Sequence, residues 1–160
     1  MKKDIFQRNK EHYIKLKKFC KDVLIACKEA KVKPILYGSF MIFHYTKDKS
    51  MKVNDIDLYA KEKDFDKIIK VLKKKKINFD SDNIQKYHTM EISKGNLKVE
   101  IDSIDFWNKT KIETIDIDFE GIKTKALSLK SLKKIYKKAS ETSENNREGN
   151  RKKFEILNEL

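Results

Sequence analysis

The stretch VNDIDLY, residues 53–59, reads as a β-strand, with polar and apolar side chains alternating from Asp55 to Leu58. Val53, Ile56 and Leu58 are strand formers, whereas Asp55 and Asp57 sit one residue apart and therefore project from the same face. Aspartate is disfavoured in strands, and two like charges side by side repel. A solvent-facing edge strand tolerates such a pair. A buried strand needs something to offset the repulsion.

A divalent cation between the carboxylates is such an agent, because its charge outweighs their mutual repulsion and both are hard oxygen donors. Two other stretches fit that reading. ILYG (35–38) is a short apolar run ending in glycine, read as a buried strand, and SFMIFHYT (39–46) follows as a helix. Gly38-Ser39 thus lies at a strand-to-helix junction. There the glycine lets the backbone approach a ligand, and the free N–H groups of the helix suit a phosphate. In LKVEIDSID (97–105), Leu97, Val99 and Ile101 alternate with Lys98, Glu100 and Asp102. If this strand neighbours 53–60, one of its carboxylates completes a metal site or takes a proton from an attacking hydroxyl. Asp102 is the first choice and Glu100 its substitute, with Asp105 read as a turn residue.

Further elements are read from periodicity. An amphipathic helix over 4–31 carries Tyr13, Leu16, Phe19, Cys20, Val23, Leu24 and Cys27 on one stripe. A second helix spans 62–76. Strands are expected at 85–93 and 97–104 across the SKGN turn, and at 112–118 and 121–126. Helix returns from Ser128, 140–150 reads as a loop, and 151–160 as a last helix. The fold class is α/β (α+β): a mixed sheet flanked by helices, with a long N-terminal helix and a C-terminal helical tail. We divide the chain into a core at 1–127 and a helical appendage at 128–160.

Charge is unevenly placed along the 160 residues. The net charge is +13, but residues 1–34 hold eleven Lys/Arg against four Asp/Glu, residues 121–160 eleven against five, and the middle sixteen of each. The cationic ends suit a polyanion such as a nucleoside triphosphate or RNA. Cys20 and Cys27 share a helix face roughly 10 Å apart along its axis, too far for a disulfide, and read as buried free thiols of a reducing compartment. His12, His44 and His88 show no ligand spacing with them, which argues against zinc. No apolar run approaches the ~18–20 residues of a membrane span, and the N-terminal residues lack a signal-peptide core, so the cytoplasm is expected.

Gly38-Ser39, a short helix, Asp55-x-Asp57 and a carboxylate on a later strand together resemble the nucleotidyltransferase superfamily with the DNA polymerase β-like fold. The seventeen-position step from Gly38 to Asp55 is similar to the branch of drug-modifying adenylyltransferases and toxin-type nucleotidyltransferases. Where branch members often carry an Arg, four positions before the first aspartate, this chain has Met51. The resemblance implies that Asp55, Asp57 and Asp102 bind Mg²⁺ (or Mn²⁺) and are catalytic. It implies that Gly38 and Ser39 contact the phosphates of an NTP, and that Lys133 or Lys137 supplies a nucleotide-contacting lysine. A nucleoside monophosphate is then transferred to a hydroxyl and pyrophosphate leaves. The acceptor is RNA, a small hydroxylated compound as in antibiotic resistance, or a protein as in toxin–antitoxin pairs. A non-catalytic nucleic-acid-binding or antitoxin-type module on the same fold is the alternative.

Overall fold

The apolar stripe of the N-terminal helix is what the sheet folds against. In the computed structural model of the chain, residues 10–48, 51–108, 111–142 and 147–160 are described. Helix α1 (Lys10–Glu29) buries Leu16, Phe19, Cys20, Val23, Leu24 and Cys27, and packs across the sheet and onto a later helix. Residues 4–9 of the expected helix lie outside the described residues.

Strand β1 (Ile35–Tyr37) runs directly into α2 (Gly38–Thr46). Strand β2 (Ile56–Ala60) is followed by a 3₁₀ turn (Glu62–Asp64) and α3 (Phe65–Lys74). A two-residue edge strand, β3 (Phe79–Asp80), and a short α4 (Ile84–Tyr87) precede the β4 (Thr89–Lys94) and β5 (Leu97–Ser103) hairpin. Then come α5 (Ile104–Trp107), the β6 (Thr114–Phe119) and β7 (Ile122–Leu127) hairpin, α6 (Leu129–Thr142) and α7 (Arg147–Asn158). The seven strands form one mixed sheet in the order β3-β4-β5-β2-β1-β7-β6. Pairs β2–β5 and β1–β7 are parallel and the rest antiparallel. This is the expected α/β class, a mixed sheet flanked by helices.

Register decides which side chains share a face. Ile56 lies opposite Val99, Leu58 lies opposite Ile101 and Leu36, and Ile101 in turn lies opposite Met90. All of these are fully buried. Burying such a face contributes roughly 1.5–3 kcal/mol per large aliphatic side chain. The alternate residues, Asp57, Tyr59, Glu100 and Asp102, must then occupy the other face. The core is one cluster that also takes in Leu132 and Tyr136 of α6 and Leu157 of α7.

Several boundaries differ from the sequence reading. Strand β2 starts at Ile56 rather than 53, because its ladder partners run out: β1 offers three residues, ending at the Tyr37–Asp57 pair, and β5 begins pairing at Ile56–Val99. His12 Nε2 instead donates to the Asn54 carbonyl at 3.2 Å. The strand expected at 85–93 begins at Thr89, after a helical turn and His88 at φ +54°. The 140–150 loop is shorter than expected, since α6 runs to Thr142 and α7 starts at Arg147. The two helices pack on each other, so tertiary contact extends helix into polar sequence. Among the described residues no helix is long and apolar enough to cross a membrane.

Candidate active site

Two adjacent parallel strands bring together carboxylates from distant parts of the chain. Asp57 of β2 lies opposite Glu100 of β5, and Tyr59 lies opposite Asp102. One oxygen from each of Asp57, Glu100 and Asp102 falls within 4.8 Å of the others. Asp102 is buried, and the other two are half-buried. Asp55 precedes the strand, half-buried and outside this trio, but its charge reaches both Asp57 and Glu100.

The cost of this gathering shows in proton affinity. Burial, then the charges of Asp102 and Glu100, push the Asp57 carboxyl well above the usual range, with the Lys153 ammonium partly offsetting them. Burial, then Asp102, Asp55 and Glu91, push Glu100 up to about 7. Asp102 is raised by burial and held back by two hydroxyls. Tyr37 donates to its Oδ2, and Thr89 donates to its Oδ1 at 2.7 Å. Tyr37 in turn stacks on Tyr59, with ring centroids 3.7 Å apart and planes within 5°. Both oxygens of Asp102 are thus aimed by O–H groups from β1 and β4.

Gly38 sits at the other flank. Its φ is +78°, and a Cβ there would collide with Oδ2 of Asp57. Only glycine fits, for conformation and for space. Helix α2 begins at this residue with no side-chain cap on its N-terminus. Its first N–H groups start beside the acidic trio, and Ser39 follows, half-buried.

The opposite wall is α6. A cleft of ≈ 850 Å³ lies between it and the sheet, lined by the trio with Tyr37, Thr89 and Tyr136 among others. That volume is in the range of small-molecule sites, roughly 300–1,000 Å³. Lys134, Lys137 and Lys138 also line it. Lys133, the other lysine singled out from the sequence, instead donates to the Leu160 carbonyl at 3.0 Å and is not among the cleft-lining residues. Lys153 of α7 lies over the Tyr136 ring, 5.6 Å from its centroid.

Comparison of the coordinates with solved structures gives matches across most of the chain. The antibiotic-resistance factor ANT(2'')-Ia aligns with a TM-score of 0.61 at 12% identity, over 88% of this chain and 81% of that one. A Thermotoga maritima protein described as a nucleotidyltransferase aligns at 0.57 and 23% identity, over 94% and 95% of the two chains. Lincosamide antibiotic adenylyltransferase LnuA, in its lincomycin-bound form, aligns at 0.57 and 14%, over 88% and 95%. The chain has the nucleotidyltransferase fold. Neither a protein-family model nor a curated protein matches the sequence.

Within the nucleotidyltransferase fold of this chain, the donor set suits a hard cation. Three carboxylates and no sulfur or imidazole favour Mg²⁺ or Mn²⁺ over zinc or copper. Burial raises the proton affinity of all three, and mutual charge adds to it at Asp57 and Glu100, a load that a bound cation would relieve. The sequence reading missed Tyr37, Thr89, Tyr136 and Lys153. Strand alternation placed Tyr37 next to Gly38 but could not reveal a partner 65 residues away. A Thr at the start of a strand and a Lys in a polar helix carry no local signal.

Proposed function

We propose that the chain transfers a nucleoside monophosphate from an NTP to a hydroxyl acceptor. The observation that carries this is the carboxylate trio at one end of an uncapped helix, with Gly38 keeping the space between them open. The acceptor oxygen bonds to the α-phosphorus, the bond from that phosphorus to the β-phosphate oxygen breaks, and pyrophosphate leaves. Asp57, Asp102 and Glu100 would hold Mg²⁺ or Mn²⁺, with Asp55 adding negative charge at the edge. A bound ion would neutralise phosphate charge and polarise the phosphoryl group.

The chain's own groups divide the remaining work. Backbone N–H groups at Gly38 and Ser39 bind phosphate oxygens with the help of the helix dipole. Lys137, on the cleft wall, neutralises the triphosphate. Burial makes Asp102 a better base, and the Tyr37 and Thr89 hydroxyls fix its orientation for the acceptor proton. Acceptors consistent with the site are an RNA end or a small hydroxylated compound. The adenylyltransferase relatives by fold favour the small compound, and the cationic ends of the chain favour RNA.

Thermal shift with ATP, CTP, GTP and UTP, with and without Mg²⁺, tests the reading. Stabilisation by nucleotide that requires Mg²⁺ and disappears in Asp57→Asn is the expected result. Salt-sensitive RNA binding indifferent to Mg²⁺ and to Asp57→Asn would replace the enzyme with a nucleic-acid-binding module. Incubation with labelled NTPs and cell extract then shows whether label lands on RNA, protein or a small molecule.

A further inference from the structure

The described residues expose five large hydrophobic side chains; three of them, Tyr87, Phe106 and Trp107, lie on two segments joined by a hydrogen bond, and Trp107 lines the cleft. Tyr87 is 48% exposed, Phe106 43% and Trp107 51%. They form a built ledge rather than a loose tip. Trp107 Nε1 donates to the Tyr87 carbonyl at 2.9 Å. Phe106 meets the Trp107 ring edge-on at 5.0 Å and stacks on His88 at 3.9 Å. His88 Nδ1 pairs with Glu62, whose backbone N–H donates to Asp105 Oδ2 at 3.0 Å. Ser103 caps α5 by accepting from the Phe106 N–H. Two exposed rings are therefore fixed by polar bonds that solvent could have supplied, and Trp107 faces into the cleft.

Sheet order places this ledge relative to the chemistry. Gly38 and α2 leave the sheet from β1, on one side of β2. The ledge leaves from β5 and the start of β4, on the other side. Phosphates held at α2 and a ring held on Trp107 would flank the trio from opposite sides. Across the cleft, Lys134, Lys137 and Lys138 make none of the ion pairs formed among the described residues. Glu141 is the one acidic residue of that wall.

We propose that the ledge is the acceptor platform, and that its occupant is the single-stranded 3′ end of an RNA. This rests on the nucleotidyl-transfer reading and names its acceptor. A terminal nucleotide presents three things in one unit: a planar base for Trp107, a backbone phosphate for Lys134 and Lys138, and a ribose hydroxyl for the trio. A base can stack only when it is free of a duplex, so the platform selects an unpaired end. A small hydroxylated compound without phosphate would leave Lys134 and Lys138, the cleft lysines not engaged by the triphosphate, without an anionic partner. The acidic trio would repel the RNA backbone if it entered there, so only the uncharged hydroxyl reaches it.

Trp107 is the sole tryptophan of the chain and reports its own contacts. The full-length protein is titrated with a fluorescein-labelled twelve-nucleotide single-stranded RNA and with the same RNA as a blunt duplex. Expected are quenching of tryptophan fluorescence by the single strand only, and roughly tenfold weaker binding in Trp107→Ala with most of it restored in Trp107→Phe. Mg²⁺-dependent stabilisation by NTP stays unchanged in Trp107→Ala, which also shows that the variant folds. Equal affinity of wild type and Trp107→Ala for the single strand overturns the proposal, as does equal quenching by the duplex. Quenching by Mg·NTP alone, lost with NTP binding in Trp107→Ala, assigns the ledge to the donor base and also overturns it. Absence of any Mg·NTP stabilisation in the wild type removes the enzymatic reading instead.

Discussion

Gly38 and Asp57 are a pair in which each limits the other. A methyl group at 38 has to occupy the space of the Asp57 carboxylate and adopt a φ that L-residues reach at a cost of ~1–2 kcal/mol. Gly38→Ala is therefore expected to lose Mg²⁺-dependent NTP stabilisation and to lower unfolding free energy by at least that ~1–2 kcal/mol in urea titrations. Neutralising a member of the trio acts in the opposite sense on the metal-free protein. Glu100 is held up to about 7 against an ordinary value of 4.5, so the fold prefers its neutral form. Stability linked to it is present below about 4.5 and is lost as pH rises towards about 7. Glu100→Gln should raise the melting temperature above pH 7 and leave it nearly unchanged at pH 4, while weakening Mg²⁺ binding. Thr89→Val removes a donor that lowers the Asp102 proton affinity, so the acidic limb of the pH–rate profile should move to higher pH.

Helix α6 presents two kinds of lysine. Lys137 and its neighbours on the cleft side face the trio's wall, and Lys133 turns to the C-terminal carbonyl. Lys137→Ala should weaken Mg·NTP binding severalfold in thermal shift, whereas Lys133→Ala should change it by little, as surface contacts usually do. The sequence alone does not separate these two, because both sit in the same lysine-rich helical pattern. What alternation does disclose is the shared face of Glu100 and Asp102, and the apolar face behind them. It does not disclose that β5 lies parallel and next to β2, since that pairing spans more than forty residues. Nor does it show where β2 stops, because the end of a ladder belongs to the partner strands. Asp55 falls within the strand expected from alternation for that reason, and it stands before the strand instead. The Gly-Ser and Asp-x-Asp motifs are local, and so the fold was legible from them. The hydroxyls that aim Asp102, and the lysine that reaches Asp57, come from remote elements and were not.

Charge sets how the whole chain responds to solution conditions. The metal-free protein holds Glu100 with its carboxyl raised from 4.5 to about 7, and Asp57 and Asp102 raised in the same direction, so its melting temperature should fall as pH rises through the Glu100 interval of about 4.5 to 7. A divalent ion competes with those protons, and its stabilising effect should grow as pH rises through the same interval. A differential-scanning series in EDTA and in millimolar Mg²⁺ checks both slopes, and parallel curves would sink the metal assignment. Both cysteines lie fully covered between α1 and the sheet, and burial pushes the Cys27 thiol up to about 12. Neither sulfur meets a reagent while that helix is seated. The rate at which a maleimide or disulfide reagent consumes the two thiols consequently times how often α1 lifts from its bed. A slower rate in the presence of nucleotide would mean that filling the cleft on one side of the sheet tightens the layer on the other.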